Sequence, residues 1–258
     1  MTRLVRAELL KLRTLRLVYI VVAVTALVVM LAVVNGITGA GRGDNPALGS
    51  DSLRQAVEGI PARFFSIIVL LLAILGMAGE FHHQTATQTF LVTPRRGRVV
   101  AAKLVAYAAM GMAFAAVASV VTVAIAVPWL AAEGADVSLL DGEIGLGLLG
   151  ILASTALYGV IGVALGALLR NQTAAVAAAV VWVMGIEGIL LAVLETFQRG
   201  LGDDVGKWLP GLAADALARG SGAPPQLLSA WAGGLLFAVY GVALAVVGAR
   251  FVVRRDVT

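Results

Sequence analysis

A chain of 258 residues that is 60% hydrophobic and only 13% charged, with a mean hydropathy of +0.96, has too little polar surface to fold as a soluble domain. Its net charge of +4 and pI near 9.8 raise nucleic-acid binding, but the basic residues segregate by membrane side, which explains the excess and leaves no nucleic-acid partner to invoke. The absence of cysteine excludes disulfides, thiolate metal sites and a cysteine nucleophile, while repeated apolar runs without barrel alternation predict an all-α integral membrane protein of six transmembrane helices.

The opening segment, MTRLVRAELLKLRTL, carries Arg3, Arg6, Lys11 and Arg13, with Arg16 next and Glu8 as its one acid. On a helical wheel Arg3, Arg6, Arg13 and Arg16 share an arc of about 140°, with Leu4, Val5, Leu12 and Leu15 opposite. Leu9 and Leu10 interrupt that pattern. Two readings stand: an interfacial helix with its arginines on anionic headgroups, or a plain positive-inside anchor.

The run Leu17 to Val34 is too long for a signal-peptide core and lacks a convincing cleavage site, so it is the first span. A glycine-rich polar loop, Asn35 to Gly59, follows. The second span has a core, Phe64 to Gly79, of only about 16 residues, and is expected to begin near residue 60, with Pro61 in its first turn. Leu104 to Val127 forms the third span, ended by Pro128 and the interfacial Trp129. After the acidic loop AAEGADVSLLDGE comes the fourth span, Ile144 to Leu169, whose Gly162 and Gly166 permit close helix approach, more simply within the chain than across a dimer seam.

Arg170 to Gln172 make a tight hinge to the fifth span, Ala174 to Leu194. In the long stretch that follows, KWLPGLAADALARG predicts a short helix that starts at Trp-Leu-Pro, stops at Gly220 and suits a dip into the outer leaflet. Leu227 to Ala249 is the sixth span, before Arg250, Arg254 and Arg255. The chain therefore reads as one transmembrane domain, 1–258, with spans near 17–34, 60–79, 104–127, 144–169, 174–194 and 227–249.

Lysine and arginine accumulate in cytoplasmic loops. Placing both termini in the cytoplasm puts thirteen of the 19 basic residues inside, with only Glu8, Glu80 and Asp256 of the 15 acids. The reverse orientation breaks the rule.

No GxxxxGK[ST] loop is present, so the chain has no recognisable ATP site. His82 and His83 are adjacent and point apart on a helix, which suits neither a zinc site nor a serine–histidine dyad and reads more simply as interfacial polarity. Ser119 and Ser154 have no histidine at matching depth. The chain therefore reads as a non-enzyme, with no catalytic, cofactor or metal residues. Glu187 falls inside the fifth span, where an acid costs on the order of 2.5–3.5 kcal/mol. It is either part of a substrate path or protonatable switch, or an acid reaching the outer interface.

The remaining polar segment is GEFHHQTATQTFLVTPRRGRVVAAK, from Gly79 to Lys103. Glu80 sits at the inner end of the second span, and a threonine-rich run holding Thr85, Thr87 and Thr89 leads to the apolar patch Phe90, Leu91 and Val92. Thr93 can cap the next helix with Pro94 at its first position, and Arg95, Arg96 and Arg98 set the headgroup level. An ordinary loop explains the arginines but not an apolar triplet facing the cytosol.

This junction resembles that between the second and third spans of type-2 ABC exporter permeases, and the basic N-terminal helix, six spans, glycine-rich fourth span and proline-led outer helix are similar to that family. The sequence departs from the family pattern at His82 and His83. The resemblance implies a permease subunit of a bacterial plasma membrane, with Glu80 opening the junction and Thr85 to Leu91 forming a cytoplasmic coupling helix. That helix would dock on a separate ABC ATPase subunit, which would hold ATP and Mg²⁺, with Arg95, Arg96 and Arg98 as its stop. A second permease copy or paralogue and membrane lipids are the other implied partners. A proton-coupled secondary carrier using Glu187 and a non-transporting sensor subunit are the alternatives.

Overall fold

A computed structural model describes residues 1–40, 60–85, 95–134, 142–197, 199–220 and 223–254. Its helices are α1 (Thr2–Thr14), α2 (Arg16–Gly39), α3 (Ile60–His82), α4 (Arg96–Ala132), α5 (Gly142–Leu169), α6 (Gln172–Phe197, with a π-turn at Trp182–Ile186), α7 (Leu201–Gly206), α8 (Pro210–Arg219) and α9 (Ala230–Arg254). No strand occurs among the described residues, and six helices (α2 to α6 and α9) are long and apolar enough to cross a membrane. The chain is a multi-pass, all-α membrane protein.

Several helices outrun the predicted spans. α2 continues past Val34 to Gly39, where the Thr38 hydroxyl donates to the Val34 carbonyl at 2.8 Å. α4 starts eight residues before Leu104 and runs through Pro128, which had been expected to end it. Proline deletes one backbone donor, but Ala126 and Leu130 on either side are buried in a cluster with Val29 and Val33 of α2 and Ile144 of α5, and that packing holds the last turn in place. α6 begins at Gln172 because the Asn171 side chain caps it, accepting from the Ala174 amide at 3.0 Å.

α5 is the hub, packed on α3, α4, α8 and α9. Its glycines make this possible: a Cβ at Gly159 would lie 2.5 Å from the Tyr107 carbonyl oxygen of α4, and one at Gly162 would lie 2.4 Å from the Leu70 carbonyl oxygen of α3. The Gly162/Gly166 pair thus serves packing within the chain. By contrast, α2 and α6 bury little of their surface.

The predicted short helix is α8, with Pro210 at its first position and Gly220 (φ +59°) beyond its end. It folds back into the bundle: Gly220 lies beside Gly147 of α5, Leu217 beside Gly150, and the buried Ala213 and Ala216 face Gly233 of α9.

Candidate functional site

Three helices converge at the arginine-rich end of the bundle. On α1, Glu8, Lys11 and Leu12 are spaced three and four residues apart and so share one face. That face is turned inward, for Leu12 is buried in a cluster with Val99, Val100 and Met110 of α4. The Glu8 and Lys11 side chains are thereby carried to the point where α3 presents Glu80 and α4 presents Lys103.

The four groups form a closed ring. The Lys103 side chain, only 2% exposed, donates from Nζ to Glu8 Oε2 at 2.7 Å and to Glu80 Oε1 at 2.8 Å, with a longer bond of 3.4 Å to the Gly76 carbonyl. All three ammonium hydrogens therefore have acceptors. Lys11 Nζ closes the ring, donating to Glu8 Oε1 at 2.8 Å and to Glu80 Oε1 at 3.0 Å. Burial alone pushes the Glu8 carboxyl up, but Lys103 and then Lys11 outweigh it and hold Glu8 below the ordinary carboxylate range. Burial pushes Lys11 down, and its bonds to Glu8 and Glu80 more than reverse this, so it is raised. The ring is net neutral, which is what makes burying Glu8 and Lys103 tolerable, with Glu80 partly buried and Lys11 half exposed at its edge.

Beside it, the Thr85 hydroxyl donates to the Glu80 carbonyl at 3.4 Å, and Gln84 takes a left-handed backbone (φ +57°) where α3 ends. Arg170 donates from Nη2 to the Phe251 carbonyl of α9 at 2.9 Å and lies 5.1 Å from the centre of the Phe81 ring. Of the proposed coupling residues, only Glu80 and Thr85 are described; Thr87, Thr89, Phe90, Leu91 and Val92 lie outside the described residues. Arg3, Arg6, Arg13, Arg16, Arg95 and Arg98 are exposed and Arg96 is half-buried.

Glu187 is buried, 4% exposed, roughly 22 Å along α6 from Gln172 at 1.5 Å per residue. Its Oε1 accepts from Trp182 Nε1 at 2.7 Å and from the Gly211 amide at 2.9 Å. The first bond depends on the π-turn. Five residues apart, the two side chains would diverge on a regular α-helix, and the wider turn brings them onto one side. The second bond places the carboxylate at the N-terminus of α8, where unpaired amides and the helix dipole favour negative charge. A Cβ at residue 211 would fall 2.0 Å from Glu187 Oε2, so only glycine admits the acid this close.

The ring went unread in the sequence. Glu8 was counted as an inner acid and Lys11 and Lys103 as inner basic residues, whereas Lys103 lies about two turns inside α4, too deep for a headgroup contact. The available signals were the lone acid of the N-terminal segment, set three residues before Lys11, and a lysine deeper than the arginines around it. Among the described residues no cluster of three or more acids and histidines could hold a metal ion.

No curated protein matches the chain. The sequence model of a family described as ABC-2 family transporter protein matches residues 4–186. Those residues hold the whole ring and Trp182, and end one residue before Glu187. The chain belongs to that family, as the membrane component of an ABC transporter and not its ATPase.

Proposed function

We propose that this ABC-2 family member is the permease subunit of an exporter in a bacterial plasma membrane, with both termini cytoplasmic, coupled to a separate ATPase subunit through the segment between α3 and α4. The observation that carries this reading is the position of the ring. Glu80 in the last turn of α3 and Lys103 two turns into α4 flank that segment and bind each other at 2.8 Å, so force applied to the segment reaches α3 and α4 together. Glu8 and Lys11 tie α1 to the same point, and Arg170 and Phe81 bring in the ends of α6 and α9. ATPase closure would thus act on a clamped base and switch two permease copies between inward and outward access.

Thr85 to Leu91 is the proposed contact with the ATPase, with Phe90, Leu91 and Val92 as its apolar centre. The excess of arginine at this end supports its cytoplasmic placement. The test is co-expression with candidate ABC ATPase subunits from the same genome. Phe90→Asp and Leu91→Asp are expected to abolish nucleotide-driven flux while leaving expression intact, and flux by the isolated chain without any ATPase would overturn the reading.

The geometry at Glu187 supports a strut more than a proton site. Both neighbours are N–H donors, which a carboxylate accepts without exchanging a proton, and together they hold α8 against α6.

A further inference from the structure

Alongside the ring, a groove of about 510 Å³ opens between the α1–α2 elbow and α3, within the 300–1,000 Å³ range of small-molecule sites. The elbow exists because Leu15 is extended between two helices. Leu12, Val18, Leu72 and Met110 make an apolar trough, and the exposed Leu15 and Leu17 stand at its rim, where a membrane-dissolved chain gains entry from the side. Five polar residues, Glu80, His83, Thr85, Tyr107 and Gln172, stand at the other end, and three of them have unused hydrogen-bonding capacity among the described residues.

Tyr107 is 4% exposed and lines the groove, and its hydroxyl has no hydrogen-bond partner among the described residues. Its hydroxyl lies in a notch left by Gly76, where a Cβ would clash with it at 1.5 Å. Gln172, at the start of α6, also lines the groove, and its side-chain amide has no hydrogen-bond partner among the described residues. The third is Glu80: its Oε1 takes both lysines, and its Oε2 accepts no bond from the described residues.

These groups offer donors and acceptors but no net charge, because the ring cancels the charge of Glu80. An anionic head would meet the Glu80 carboxylate, and a cationic one would find that carboxylate already paired with Lys11 and Lys103. A neutral head rich in hydroxyls meets neither penalty and can pair with all three groups.

We propose that this groove binds a neutral, hydroxyl-bearing amphiphile from the cytoplasmic leaflet, its chain in the trough and its head on Tyr107, Gln172 and Glu80. The proposal deepens the exporter reading by naming a class of cargo, and rests on that reading only for the step from binding to transport.

Three probes with one oleoyl chain and different heads separate the contributions: 1-monooleoylglycerol, oleate and oleylamine. The full chain, in nanodiscs without ATPase or nucleotide, is crosslinked by a diazirine-bearing monooleoylglycerol while the three unlabelled probes compete. Crosslinks are expected on peptides spanning 12–18 and 72–79, with monooleoylglycerol competing at least several-fold better than either charged probe. Tyr107→Phe and Gln172→Leu are each expected to weaken its competition roughly two- to tenfold, the loss of one neutral hydrogen bond, at unchanged melting temperature. Equal competition by all three heads, preference for a charged head, or indifference to both variants would overturn the proposal. Because no ATPase is present, failure here leaves the exporter reading standing, and failure of ATPase-dependent flux leaves the binding result standing.

Discussion

The chain buries acids in two places and neutralises them in opposite ways. At the base, Glu8 and Glu80 alternate with Lys11 and Lys103, so each charge faces a full opposite charge and the ring sums to zero. In the fifth span, Glu187 meets only an indole N–H, an amide N–H and the partial positive charge of the α8 N-terminus. The ring spans three helices and survives small shifts, because charge attraction falls off slowly with distance. The Glu187 site depends on a π-turn and a glycine, so it fails with small displacements. One arrangement suits a joint that is pushed, the other a strut that holds.

The largest expected effect comes from removing the lysine at the centre of the ring. Lys103→Met leaves the buried Glu8 and the partly buried Glu80 sharing Lys11, and breaking a buried pair in this way costs about 3–5 kcal/mol. The purified permease is expected to lose its cooperative thermal transition or show a melting temperature lowered by many degrees. Adding Glu8→Gln and Glu80→Gln should recover most of that loss, since the stranded charges are then gone. A Lys103→Met chain as stable as the parent would show that the ring contributes no charge compensation.

Next comes the strut. Glu187→Leu strands the Gly211 and Trp182 donors, a loss of roughly 2–4 kcal/mol, whereas Glu187→Gln keeps an oxygen acceptor and should cost much less. Flux separates this from the carrier alternative: a proton site is silenced by glutamine, and a strut is not. Gly211→Ala forces a methyl into the carboxylate and is expected to cost about 1–3 kcal/mol through overpacking. Trp182→Phe removes a single donor and should cost about 1 kcal/mol. In each variant, protease access to the chain around α8 reports whether the helix has come loose.

The two sites were unequally legible. Six membrane-crossing helices followed from run length and hydropathy, and α8 from its Pro start and Gly stop, because both signals are local. Glu187 stood out because an acid in an apolar run is conspicuous, yet its partner Gly211 lies 24 residues away and carries no mark in the sequence. The ring was harder. Glu8 and Lys103 are 95 residues apart, and each has a sufficient local explanation as part of a positively biased cytoplasmic end. Charge counting assigns side chains to a membrane face, and only packing decides which of them turn inward. Pro128 misled for a related reason: a proline ends a helix by default, but burial of Leu130 beyond it overrides the lost bond.

The smallest effect expected is none at all, and it bears on how the ring works. Glu8 is held below its ordinary value of about 4.5, so its contribution to docking α1 is complete above that value and is lost only as pH falls through the lower, folded one. Lys11 is raised above about 10.5, so its contribution is complete below that value and is lost as pH rises through the folded one. Between these limits both groups stay charged, and the docking of α1 on α4 should not respond to pH. Since the chain has no cysteine, spin labels introduced at the exposed Arg6 and Arg98 report that docking directly. Their separation is expected to hold steady from pH 5 to pH 10 and to broaden only in stronger acid or base, as a mechanical joint requires. A shift near neutrality would overturn the reading of the ring as a pH-insensitive joint.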